Sequence, residues 1–110
     1  AILVGVDASR AKIKFATLTK AILTNANLSN ANLVGAHLYK AILNKTNLTG
    51  ANLSRSHLVR ADLSEADLSG ANLRGANLYN ANLSGTTLIG TTFCETLMPD
   101  GTMNNSRCSQ

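Results

Sequence analysis

The chain has no tryptophan, four aromatic residues, one proline and six acidic residues among its 110 positions. So few aromatics exclude a core of the usual kind, because in a compact domain of this length Phe, Tyr and Trp supply much of the buried area. Long apolar runs are missing too. The longest runs from Ala1 to Val6 and includes Gly5, far short of the roughly 20 residues that a membrane-crossing helix needs. No membrane-spanning segment is expected. The chain opens at Ala rather than Met and shows no basic-then-apolar leader, an opening compatible with a mature or trimmed product. Acidic charge is scarce: ten Lys and Arg face six Asp and Glu, for a formal net charge of +4. A strongly acidic surface is thereby excluded.

What is abundant is narrow. Leu, Ala and Asn occur 17, 15 and 13 times, and their order has a period of five. Leu18, Leu23, Leu28, Leu33, Leu38, Leu43, Leu48, Leu53, Leu58, Leu63, Leu68, Leu73, Leu78, Leu83 and Leu88 lie five apart, and Phe93 continues the series. Two residues before each stands Ala, Thr or Ser, without a break in register. On an α-helix of about 100° per residue such leucines would wind around every side. On a strand, an odd step would send them to alternate faces. The remaining arrangement is a coil that bends once per pentapeptide, with Leu inside, the small residue beside it and the other three residues turned to water. Fixed repeats of this kind are the mark of a solenoid.

Segments such as Ala26-Asn27-Leu28-Ser29-Asn30, Ala51-Asn52-Leu53-Ser54-Arg55 and Ala61-Asp62-Leu63-Ser64-Glu65 resemble the A-[D/N]-L-X-X unit of pentapeptide repeat proteins, over roughly residues 1–96. The resemblance implies an all-β solenoid, a right-handed quadrilateral β-helix with four pentapeptides, or 20 residues, per coil and about 4.5 to 5 coils. The expected organisation is a β-helix over 1–96 and a capping tail over 97–110. The stretch from Phe93 and Cys94 through Met98-Pro99-Asp100-Gly101 to Cys108 resembles the tail of some cyanobacterial and plastid members, and Pro-Asp-Gly is a turn signal.

Cys94 leaves the last regular coil and Cys108 lies in the tail. A bond between them would pin the cap and require an oxidising compartment, a periplasm or thylakoid lumen; the alternative is two free thiols in a cytoplasmic protein. At the other end Ala1-Ile2-Leu3 is already in register with no cap in view, which suggests either that upstream sequence was removed or that this end packs against another copy in a homodimer.

If four pentapeptides close a coil, residues 20 apart stack. One outward column then reads Ile2, Ile22, Ile42, Asp62 and Asn82, a candidate apolar stripe at Ile2, Ile22 and Ile42. A candidate partner face gathers Lys20, His37, Tyr39, Lys40, His57, Val59, Arg60 and Tyr79, a mixture of aromatic and basic residues that interfaces favour. The two histidines have no acid or thiol in their column, so no metal site or other cofactor is expected, and a solvated stacked pair is the plainer reading. Residues 1–60 hold eight Lys or Arg against one Asp, and 61–110 two Arg against five acids, so one end is basic.

No nucleophile sits beside a base, and no glycine-rich loop suits a phosphate; enzyme activity is not expected. The function expected is that of a non-enzymatic binding or scaffold protein with another protein as partner. The resemblance also brings in family members that mimic DNA and act on DNA gyrase. Those are long, strongly acidic rods, from which this chain departs in charge and length. Nucleic acid is not an expected partner, since the cations are spread over several columns.

Overall fold

A computed structural model describes residues 1–108. Its backbone is organised by four parallel ladders of isolated bridges between residues 20 apart. They run through Ile2, Ile22, Ile42, Asp62 and Asn82; through Asp7, Asn27, Asn47, Asp67 and Thr87; through Lys12, Asn32, Asn52, Asn72 and Thr92; and through Thr17, His37, His57, Asn77 and Leu97. Each pentapeptide places one residue in a ladder and then turns into the next.

One repeat shows why the sequence does this. In Ala26-Asn27-Leu28-Ser29-Asn30 all five backbone N–H groups are occupied. Asn27 donates back to the Val6 carbonyl at 2.8 Å, while Leu28 and Asn30 donate forward to Asn47 at 2.7 Å and Thr49 at 2.8 Å. The Ala26 N–H closes the preceding turn on the Leu23 carbonyl at 3.0 Å. That leaves Ser29, whose N–H donates to the side-chain oxygen of Asn27 at 3.0 Å. The Asn or Asp before Leu thus takes the one donor that the ladder cannot reach, a local Asx turn. The residue closing each pentapeptide has positive φ, as at Lys20 (62°), Asn30 (58°) and Arg60 (60°), the αL position of a tight turn. At Gly35, where φ is 66°, an added Cβ would lie 2.4 Å from the Phe15 ring, so the absence of a side chain here makes room for that ring.

Inside, the leucines from Leu23 to Leu78 are buried, with the alanines of 21–81 packed between them. Leu18, Leu83 and Leu88 are only half-buried at the two ends of the stack. Where Thr replaces Ala, its hydroxyl donates to the carbonyl of the Leu 23 residues earlier: Thr46 to Leu23, Thr91 to Leu68 and Thr96 to Leu73, each at 2.7 Å. Ser56 occupies the same position, but its buried Oγ has no partner. The missing methyl explains the difference, because branching at Cβ restricts the Thr rotamer. An orphaned hydroxyl is destabilising, so Ser56→Ala is expected to raise stability by about 1 kcal/mol. Ser56→Thr should do the same by reaching the Leu33 carbonyl. Chemical denaturation of the two variants checks both expectations.

The C-terminal segment ends the stack. A short antiparallel pair joins β1 (Thr96–Leu97) to β2 (Met103–Asn104). Leu97 also bridges Asn77 in parallel, so it belongs at once to the last ladder and to the hairpin. Cys94 and Cys108 form a disulfide. The Arg107 N–H donates to the Phe93 carbonyl at 3.0 Å, and the Glu95 N–H to Asn105 Oδ1 at 2.7 Å. Under this cover Phe93, Cys94 and Thr96 are buried.

Candidate functional site

The ladders decide which outward residues become neighbours. His37 and His57 are bridge partners, and their rings stack with centroids 4.8 Å apart and planes 5° from parallel. Two residues along the same pentapeptides stand Tyr39 and Val59, with Tyr79 one coil further; Tyr39 and Tyr79 are exposed, the latter by 45%. Next come Lys20, Lys40 and Arg60, all exposed and all in the αL position. The Lys40 ammonium lies 5.4 Å from the Tyr39 ring centroid, within cation–π range. Beyond this corner the chain enters the ladder of Ile2, Ile22 and Ile42, in which Ile2 is 76% exposed and Ile42 37%. The aromatic and basic face and the apolar stripe are therefore adjacent sides of one edge, separated only by Lys20, Lys40 and Arg60.

Counting donors reveals a feature that column-sorting of the sequence does not. Within residues 21–80, eight pentapeptides carry Asn or Asp before Leu, at 27, 32, 47, 52, 62, 67, 72 and 77, and every one accepts the N–H two residues ahead. The four that do not are Ile22, His37, Ile42 and His57. Among the described residues the N–H groups that follow them, on Thr24, Tyr39, Asn44 and Val59, have no hydrogen-bond acceptor. In this central part of the stack all four departures fall on the two sides that meet at the Lys20–Lys40–Arg60 corner; towards the ends Lys12, Thr87 and Thr92 depart on the other two sides. Local rules are broken where another demand competes with them, which singles out this edge.

In the middle of the stack the other two sides are built from satisfied polar ladders. In the ladder of Asn27, Asn47 and Asp67, hydrogen bonds from the Ser69 hydroxyl and then the Ser69 N–H hold the Asp67 carboxyl below its ordinary value of 3.8. Ser9 does the same for Asp7 and Thr102 for Asp100. A depressed folded-state value means stability that is complete above the ordinary value and is lost as pH falls through the lowered one. Asn offers a neutral, weaker acceptor that does not titrate, so Asp67→Asn is expected to lower the melting temperature slightly at neutral pH and to flatten its fall below pH 3.8. A thermal melt series against pH measures this.

Metal ligands are not gathered in the described residues. No three of His, Cys, Asp and Glu come together there in a way that would hold a metal ion. A cavity of about 630 Å³ opens at the C-terminal hairpin among Met98, Pro99, Met103 and Asn104, and its one carboxylate, Asp100, is engaged by the Thr102 hydroxyl at 2.6 Å. Among the described residues no helix is long and apolar enough to cross a membrane.

Comparison with known proteins agrees with this architecture. The family described as pentapeptide repeats matches in eight copies, over residues 21–59 and 56–94. A pentapeptide repeat protein from the thylakoid lumen of Arabidopsis thaliana is 32% identical and superposes with a TM-score of 0.84, covering 91% of this chain and 70% of that one. The pentapeptide repeat protein Rfr23 of the cyanobacterium Cyanothece 51142 is 35% identical with a TM-score of 0.69, covering 86% of this chain and 83% of its own. No curated protein matches. Its five-residue register, its ladders at intervals of 20 and these likenesses together place the chain in the pentapeptide repeat family.

Proposed function

We propose that the chain is a non-enzymatic protein-binding module, a right-handed quadrilateral β-helix of about five coils that presents its edge at Lys20, Lys40 and Arg60 to another protein. The observation that carries this reading is the edge itself: the stacked His37 and His57, the exposed Tyr39 and Tyr79 and the row of cations lie side by side on an exposed surface. Aromatic and Arg side chains so placed are the groups that anchor protein interfaces. A photo-crosslinking residue introduced at Tyr39 or Tyr79 should give protein adducts in the native setting that the same residue at Asn52 or Asn72 does not. Equal yields at all four positions would refute the reading.

The compartment belongs to the same proposal. The Cys94–Cys108 bond suits an oxidising space, and one of the similar structures is a thylakoid-lumen protein, so we place the chain in a thylakoid lumen or a periplasm. The proposed homodimer uses the first coil, where Leu3, Ile13 and Leu18 are half-buried; a strict monomer by sedimentation at high concentration would remove it. A DNA-mimicking action on gyrase is the disfavoured alternative, since mimicry of a polyanion requires acidic ladders and the chain carries a net charge of +4.

A further inference from the structure

The edge also carries information about the shape of what binds it. Lys20, Lys40 and Arg60 form a row along the stack, one cation per coil, with coils spaced at the strand-pairing distance of about 4.8 Å. Their column continues as Asn80 and meets an acid only at Asp100, two coils beyond Arg60, where the carboxylate accepts the N–H and hydroxyl of Thr102 at 3.0 and 2.6 Å; the columns of His37 and Tyr39 beside it hold none. The nearest along the chain, Asp62, already accepts both the N–H and the hydroxyl of Ser64, at 3.0 and 2.6 Å. The row of positive charge is thus unneutralised by its own ladders. Parallel to it, one turn of chain away, runs the stripe of Ile2, Ile22 and Ile42, where the Asx acceptor has been given up for an aliphatic side chain.

We propose that this edge docks an acidic amphipathic α-helix of a partner protein, lying along the stack with its acids on Lys20, Lys40 and Arg60 and its neighbouring apolar stripe on Ile22 and Ile42. The proposal rests on the protein-binding reading above and specifies the partner. Spacing selects the helix. Side chains on one helix face recur about every 5.4 Å, so over the two intervals between three cations they drift from the coils by about 1 Å. Same-face residues of an extended strand recur about every 6.8 Å and drift by about 4 Å over the same span. A helix also presents an acidic and an apolar stripe next to each other on one surface, as this edge does in complement.

The test uses a designed peptide of about 20 residues, with Glu at i, i+4 and i+7 beside a Leu stripe, and a second peptide of the same composition in strict alternation. Fluorescence anisotropy with the full chain should show binding of the first, weakened by salt, with added helicity by circular dichroism. Binding should weaken by about tenfold or more in Lys20→Glu/Lys40→Glu/Arg60→Glu, and separately in Ile22→Asn/Ile42→Asn. Glu65 and Glu95 already occupy the αL position, and Asn is the commonest residue in the Ile22 and Ile42 position of the repeat, so both variants should keep the wild-type melting temperature. Unchanged binding in the charge-reversed variant, or equal binding of the alternating peptide, would overturn the helix. Crosslinking at Tyr39 would survive that failure if the surface still binds a partner of another shape.

Discussion

Truncation of Leu58 to Ala is expected to destabilise the protein by about 2–5 kcal/mol, whereas Leu18→Ala, in the same inward ladder, should cost well under half as much. The two residues are chemically identical and differ only in their place along the stack. Leu58 is fully buried, with Leu38 one coil before it and Leu78 one coil after. Leu18 is half-buried in the first coil. Removing a central leucine leaves a cavity that cannot easily collapse, because the backbone on either side is fixed by the ladder bonds of Leu58 to Asn77 and of His57 to Ala36, at 2.8 and 2.9 Å. A terminal leucine loses less contact and can be replaced by water. Urea denaturation of the pair, with Leu38→Ala as a third point, measures the gradient. Equal losses at positions 18 and 58 would mean that the core is not a stack in which each layer depends on its neighbours.

The same regularity explains what was legible in the sequence. A period of five shows in the leucines because every pentapeptide meets the same demand, one side chain inward and one small residue beside it. The pairing of residues 20 apart follows once four such units close a coil, and it brings His37 against His57 and Ile22 against Ile42. The role of the residue before Leu was not legible. Asn and Asp there read as letters of a pattern until the donor on the second residue ahead is counted and found to have no other acceptor. Ile22, His37, Ile42 and His57 then change from tolerated variants into positions that give up a hydrogen bond. Small residues were equally opaque: Thr46 and Ser56 both read as small hydroxyl residues beside Leu, yet one hydroxyl is satisfied and the other is not. The reach of the tail is a third case. It covers Phe93 and Thr96 but leaves Leu83 and Leu88 half-buried, a distinction that depends on where the hairpin crosses the last coil.

Loss of the Cys94–Cys108 bond should be large in one place and nearly silent elsewhere. Closing a loop of about 15 residues is worth about 3 kcal/mol by chain entropy, and Cys94→Ala/Cys108→Ala removes that constraint. The tail then relies on the Arg107–Phe93 and Glu95–Asn105 hydrogen bonds, the two-residue pair of β1 with β2, and the ladder bonds of Leu97 with Ala76 and Leu78 and of Pro99 with Asn80. A two-stranded pair is marginal in water by itself, so the tail should open well below the melting temperature of the coils. In a stacked molecule stability passes only between neighbours. Amide exchange should therefore accelerate at Glu95, Leu97 and Met98, whose N–H groups are held by Asn105, Ala76 and Thr102. Leu48 and Leu53, bonded to Asp67 and Asn72 in the middle of the stack, should keep their protection. Dithiothreitol added to the wild-type chain should reproduce the pattern. Exchange that rises uniformly along the chain, or not at all, would show that the tail is not a separately opening cap.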